Sequence, residues 1–177
     1  MAYTPTWNAT FAKPLLNQCV AIIQRDQAAA ISIVNPALAP INEFHKGPES
    51  RTAFPWLTLA SESISFTTGS PDIRQSKTAV SLALEVGQFD QEMAQDNAQD
   101  YARALDMIVT TASGADWITP LPIQHETVPG GTTTPPAAGT VKDVFVESHR
   151  YSQVTLPGIQ MPVLRVTLTI LFVLIET

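Results

Sequence analysis

The last residues of the chain, LRVTLTILFVLIET (164–177), alternate between apolar and polar positions more regularly than any other segment. Alternation with β-branched residues predicts a β-strand, about twice the usual strand length at about 3.3 Å per residue. The second face turns apolar at Leu171, Val173 and Ile175. A strand that is apolar on both sides predicts that something beyond its own domain covers it. The subunit would then complete its core, or extend its sheet, in an assembly. One face carries Leu164, Val166, Leu168, Ile170, Phe172 and Leu174.

Three further segments alternate in the same way and are predicted to be strands. Residues 54–66 and 76–87 flank the turn signal Gly-Ser-Pro-Asp at 69–72, which predicts a long hairpin. Residues 141–155 alternate again, and Pro157-Gly158 separates them from the terminal strand. Because each pair of strands is joined by a short polar turn, we expect antiparallel pairing.

Two segments show helical spacing instead. Residues 11–24 have apolar side chains three and four apart, which predicts a first helix. Its sequence allows it to continue through Ala30, until Asn35-Pro36 ends it. Residues 90–111 form the clearest helix, with Asp90 as its N-cap. Its apolar stripe consists of Ala94, Ala98, Tyr101, Leu105 and Ile108.

These elements predict an α+β fold in which two helices cover one face of a four-stranded, mainly antiparallel sheet. The whole chain, residues 1–177, is expected to form a single domain with one loop insertion at residues 113–140.

The 113–140 insertion is predicted to be a long Pro/Gly-rich loop, because it contains five prolines and four glycines. Loops of this length in compact domains are usually functional or disordered. Trp117, Ile118, Leu121 and Ile123 give it an apolar segment. We expect these four side chains to form a docking element that a neighbouring subunit or virion protein covers, and the alternative is that they pack on their own domain.

Charge argues against nucleic-acid recognition, because the 177-residue chain has a net charge of −6 and its basic residues are scattered. Only 15 % of residues are charged, which fits either a surface partly covered by neighbours or one rich in uncharged polar residues. Glu92, Asp96 and Asp100 lie four apart on the second helix. They form either a solvated face that compensates the helix dipole or an acidic surface facing a partner or a channel.

No pattern in the chain indicates catalysis, a metal or a cofactor. There is no phosphate-binding glycine loop and no zinc-protease or nucleophile-elbow motif. Cys19 is the only cysteine and lies on the apolar face of the first helix, where a core thiol is expected. His45 and His125 are expected to be solvated in loops, and His149 on a strand surface. The longest apolar run is far too short to cross a membrane, and no signal peptide is visible.

Three local features, together with the order of elements, resemble the tail-terminator (tail-completion) proteins of long-tailed bacteriophages, and more loosely the head-to-tail neck proteins. The first is a strand entered through Phe54-Pro55-Trp56 after a connector containing Gly47-Pro48. The second is the acidic helix with Tyr101-Ala102-Arg103-Ala104-Leu105 behind a long hairpin. The third is the strand containing His149-Arg150-Tyr151, followed by a terminal alternating strand that ends in LIET.

The resemblance implies a virion protein, assembled in the host cytoplasm, whose six copies form a ring. This ring would cap the tail tube, contact the neck or connector proteins and let DNA pass through its lumen without tight binding. Glu92, Asp96 and Asp100 would then face the lumen, and Ile170, Phe172 and Leu174 would join the four loop residues as interface candidates. The alternatives are another head-tail joining protein, a non-enzymatic binding module that uses the 113–140 loop, or an enzyme. The enzyme would need His125 and Glu126 to meet Asp116 or His45.

Overall fold

The computed structural model describes residues 12–46, 53–70, 73–112 and 139–176. These ranges contain two helices and five strands. In chain order they are α1 (Ala12–Val34), β1 (Glu43–His45), β2 (Trp56–Ser70), β3 (Ile73–Gly87), α2 (Gln91–Ala112), β4 (Gly139–Val154) and β5 (Val163–Glu176).

The five strands form one sheet in the order β1-β2-β3-β5-β4. All neighbouring pairs are antiparallel except β1 and β2, which are parallel. The predicted α+β class is confirmed, but the predicted count of four strands is wrong by one. The missing strand is β1, whose three residues are too few to show an alternating pattern in the sequence.

The terminal strand β5 is an inner strand of this sheet. It pairs with β3 on one side and with β4 on the other, each along almost its whole length. Both rows of its backbone hydrogen-bonding groups are therefore satisfied within the subunit. Extension of the sheet through the edges of β5 is therefore excluded. The second apolar row of β5, Leu171, Val173 and Ile175, lies on the face of the sheet away from the helices, and cover of that row by another subunit stays a prediction.

Both helices pack on one face of the sheet, and their apolar stripes fill the core against β2, β3 and β5. The Asp90 N-cap of α2 is confirmed, because Asp90 Oδ1 accepts the backbone N–H groups of Glu92 and Met93 at 2.9 and 3.1 Å. Helix α1 continues to Val34, and Asn35 N donates to Ile31 O at 2.8 Å at its end. Pro36 then prevents another turn.

The core face of β3 carries two buried hydroxyls among its apolar residues. Thr78 lies opposite Phe172 and Ser76 opposite Leu174, and both hydroxyl-bearing side chains are buried. Within the described ranges neither hydroxyl oxygen has a hydrogen-bond partner. A buried hydroxyl without a partner destabilises the folded state by about 1–3 kcal/mol relative to an apolar group of the same shape.

We therefore expect Thr78→Val to raise the stability of the subunit by about 1 kcal/mol, because valine keeps the shape of threonine without its hydroxyl. The change is measured as a shift of the urea midpoint at constant slope. Thr167→Val, at a half-buried position on the other face of the sheet, is the control and should change stability little. A loss of stability in Thr78→Val would show that the hydroxyl has a partner in solution.

Candidate interaction surfaces

The structure places Ile170, Phe172 and Leu174 in the core of their own subunit. All three belong to the core cluster between the sheet and the helices, and none has exposed surface. They consequently stabilise the subunit itself and offer no area to a neighbour. The loop candidates Trp117, Ile118, Leu121 and Ile123 lie outside the described residues, as do residues 113–138 as a whole.

The three predicted acidic residues of α2 are not equivalent. Glu92 and Asp96 are exposed, whereas Asp100 is half-buried. The Asp100 carboxylate accepts a hydrogen bond from Asn35 Nδ2 at 2.8 Å, which joins α2 to the end of α1. Asp100 thus joins the two helices, whereas Glu92 and Asp96 present their carboxylates to the surroundings.

The two described histidines are distant from each other and each lies beside a carboxylate. The expectation that His45 is solvated is wrong, because His45 is buried in β1 with its Nε2 3.1 Å from Glu43 Oε2. The same Glu43 side chain accepts the Ala53 N–H at 2.9 Å, so it ties β1 to the segment that enters β2. His149 is exposed on β4, and its Nε2 lies 3.4 Å from Asp106 Oδ2.

Other chemistry-bearing groups of the described ranges have structural surroundings. Cys19 is buried in the core, and burial raises the pKa of its thiol far above the usual value. No cluster of three metal-ligating side chains occurs in the ranges 12–46, 53–70, 73–112 and 139–176. Neither of the two described helices has the length and apolar character needed to span a bilayer.

The face of the sheet opposite the helices, called here the open face, consists mainly of small side chains. The large apolar side chain that it exposes is Phe145 of β4, which is 52 % exposed and lies opposite Leu171. Asp143 and Glu147 flank it, both exposed. The surrounding positions are occupied by Ala60, Ser63, Ala79, Ser81, Ala83, Thr167 and Thr169.

One end of the open face contains a buried ion pair. Glu85 of β3 lies opposite Arg165 of β5, and Arg165 Nε donates to Glu85 Oε1 at 2.7 Å. The Trp56 indole N–H donates to the other oxygen of the same carboxylate. The ring of Phe54 stacks on Trp56 with centroids 4.1 Å apart. Phe54 also lies so close to Gly87 that a Cβ there would be 2.6 Å from its ring, which explains the glycine.

The two long strands nearest the edges of the sheet, β4 and β2, both contain bulges. Strand β4 has register shifts between Val141 and Asp143 and between Val146 and Ser148. Strand β2 has register shifts between Ser61 and Ser63 and between Thr68 and Ser70. Bulges interrupt the ladder and twist an edge away from further pairing. The edges of this sheet are therefore poor places for the predicted extension of the sheet by another subunit, and side-chain surfaces are better candidates.

An apolar surface lies where β3 ends and α2 begins. Phe89 is 82 % exposed and Met93 is 50 % exposed. Gln88 Nε2 donates to Met93 Sδ at 2.7 Å, so the side chains of Gln88 and Met93 are in contact. Gln88 also lines a neighbouring cleft with Asn97 and Tyr101. We call Gln88, Phe89, Met93 and this cleft the end surface.

Tyr101 fixes the floor of the end surface. Its hydroxyl donates to the carbonyl oxygen of Ala39 at 2.5 Å, so it holds the connector after α1 against α2. Burial raises the pKa of Tyr101 to about 12, and the hydroxyl therefore stays protonated and able to donate at neutral pH. The sequence pattern predicted Tyr101 as a core residue but did not indicate the surface above it.

The fold has a counterpart among solved structures. A chain in a structure described as "Virion of native gene transfer agent (GTA) particle" superposes with a TM-score of 0.58, over 92 % of this chain and 95 % of that chain. The two chains share a fold. Their sequences are 12 % identical, which supports no statement beyond the fold. No protein family and no curated protein matches the sequence.

Proposed function

We propose that this chain is a structural protein of a phage-like virion, and that it acts as the tail terminator. In this role six copies form a ring that caps the tail tube and joins it to the neck or connector proteins. The observation that carries the proposal is the likeness to a virion chain of a gene transfer agent particle over nearly the full length of both chains. The element order and local features that resemble tail terminators point in the same direction.

The charge of the subunit supports a structural role next to DNA. A net charge of −6 repels phosphates, so a ring of such subunits would let DNA slide through its lumen without tight binding. Glu92 and Asp96 are exposed on α2 and are candidates for an acidic surface of this kind. Within the described ranges the histidines and the cysteine have structural partners or surroundings, which favours a structural protein over an enzyme.

A closed ring is the assembly that this proposal predicts. We expect light scattering after size exclusion to give about 115 kDa, six times the 19.2 kDa of the chain, because closed cyclic symmetry satisfies every head-to-tail interface. Negative-stain microscopy should show the ring directly. The same measurement is repeated with purified tail tubes, which separates spontaneous from templated assembly. A monomer in both conditions, with no ring at the tube end, would contradict the ring.

Removal of the gene from the particle-producing cell distinguishes the terminator from the other head-tail joining proteins. A tube of head-to-tail subunits keeps growing until its end is capped. Loss of the terminator is therefore expected to give tails of unregulated length that are not joined to heads. Loss of another neck protein should give tails of normal length, also unjoined. Normal, joined particles would exclude both roles and favour the remaining alternative, a non-enzymatic oligomeric binding module.

A further inference from the structure

The end surface exposes two large apolar side chains for a local reason. Phe89 precedes the N-cap Asp90, a position from which an apolar residue usually packs on the fourth residue of the helix. That residue is Ala94, whose small side chain is already buried and offers Phe89 little to cover. Phe89 therefore projects from the subunit, four residues before the exposed Met93. Nothing in the geometry of the helix start requires a phenylalanine there.

The second part of the end surface is the cleft lined by Gln88, whose side chain contacts Met93. Its volume of about 270 Å³ is below the range of about 300–1,000 Å³ that is typical of small-molecule sites. It has room for one large side chain from another protein. Its walls come from the connector after α1, the entry to β2, the end of β3 and α2, and they include Leu38, Phe54, Val86 and Tyr101 together with the polar Gln88 and Asn97. Exposed apolar side chains beside a cleft that also offers polar groups are a usual arrangement at a protein interface.

The charged residues in the first turns of α2 are all acidic. Residues 88–102 contain four carboxylates and no lysine or arginine. Asp90 accepts backbone hydrogen bonds at the start of the helix and Asp100 binds Asn35, so both are held in the subunit. Glu92 and Asp96 remain exposed on the turns that carry Met93. A partner that covers the apolar centre therefore meets an acidic rim.

We propose that the end surface docks a basic segment of a neighbouring virion protein, which covers Phe89 and Met93 with its apolar side chains, places one large side chain in the cleft and sets lysines or arginines against Glu92 and Asp96. The partner's place in a virion rests on the proposed function, whereas the surface itself does not. A second copy of this chain fits less well, because its net charge is −6 and its exposed Phe145 is flanked by Asp143 and Glu147. Like charges facing each other oppose such a contact.

A peptide of the predicted chemistry tests the surface on the isolated chain. The probe is Gly-Lys-Arg-Phe-Leu-Lys-Arg-Gly, and its two controls replace either the basic residues by glutamate or the apolar pair by serine. Titration followed by amide chemical shifts should move Leu38, Gly87 and Asn97 with the probe and with neither control. We expect affinity to fall as salt rises, because the rim charges are exposed and screened.

Substitutions separate the apolar centre from the rim. Phe89→Ser with Met93→Ser should lower the affinity for the probe by at least about tenfold, because both side chains are expected to lie at the centre of the contact. Glu92→Gln with Asp96→Asn should lower it about two- to tenfold and weaken its salt dependence. Phe145→Ser, an exposed aromatic residue on the open face, is the matched control and should leave binding unchanged.

Several results would overturn the inference. One is equal binding of the acidic peptide, and another is a set of shifts centred on the open face. Self-association of the chain that Phe89→Ser and Met93→Ser abolish would assign the surface to a second copy instead. Particles that contain the chain although it fails to bind the probe would overturn this inference and leave the virion role intact. If the chain binds the probe but is absent from purified particles, the docking surface is retained and its virion partner is excluded.

Discussion

Replacing Phe172 by alanine is expected to destabilise the subunit by about 3–5 kcal/mol. Phe172 has no exposed surface and lies on the inner strand β5, between Thr78 of β3 and Val144 of β4. Truncation would leave a cavity that two flanking strands and the helices prevent from closing. Because small domains are stable by about 5–15 kcal/mol in total, urea unfolding followed by circular dichroism should show a large decrease in the midpoint.

The neighbouring residue Leu171 provides the control for this prediction. It lies on the same strand but on the open face, where it is only half-buried. Leu171→Ala should cost clearly less than Phe172→Ala. The oligomer size is measured for both variants at a temperature where they are folded. An unchanged melting temperature together with loss of the oligomer in Phe172→Ala would show an interface residue and contradict its place in the core.

Most of the secondary structure was predictable, because alternation and helical spacing report directly which side of an element is buried. The stripe of α2 from Ala94 to Ile108 is buried as its spacing predicts, and Asp90 caps the helix. The hairpin of β2 and β3 follows from two alternating segments around one turn. These features depend only on residues close together in the sequence.

The order of strands was not predictable in the same way. An alternating pattern shows which residues share a face but not which strands lie beside them, so the sequence of β5 did not distinguish an edge strand from an inner one. The structure shows an inner strand, because β5 pairs with both β3 and β4. Strand β1 was not predicted because three residues are too few to show an alternating pattern. The burial of His45, which belongs to β1, was not predicted for the same reason.

The candidate surfaces were less predictable than the fold because each combines distant segments. The cleft of the end surface is formed by residues near positions 38, 54, 87 and 97. Phe89 gave one local signal, an aromatic residue before an N-cap with only alanine available to pack on. The acidic pattern on α2 indicated an exposed face, but it did not separate Asp100, whose partner Asn35 lies at the end of α1.

Replacing Arg165 by methionine is expected to destabilise the subunit by about 2–5 kcal/mol at neutral pH. Glu85 is 1 % exposed, and its carboxylate would lose the hydrogen bonds donated by the guanidinium. The Trp56 indole would remain its neighbour, but it carries no charge. Arg165 is itself 34 % exposed, so its own desolvation is partial and the cost comes mainly from the buried carboxylate, which loses the guanidinium. Urea unfolding followed by tryptophan fluorescence measures the loss.

A second substitution tests the cause of that loss. Glu85→Gln in the Arg165→Met background removes the buried negative charge and keeps an oxygen that accepts the Trp56 N–H. We expect the double variant to recover most of the stability, because neutral replacements of a buried ion pair are often tolerated. Arg25→Met, at an exposed pair with Asp26, is the matched control and should cost less than about 1 kcal/mol. If the double variant is as unstable as Arg165→Met, the loss comes from the packing of the arginine side chain, and the buried carboxylate is not its cause.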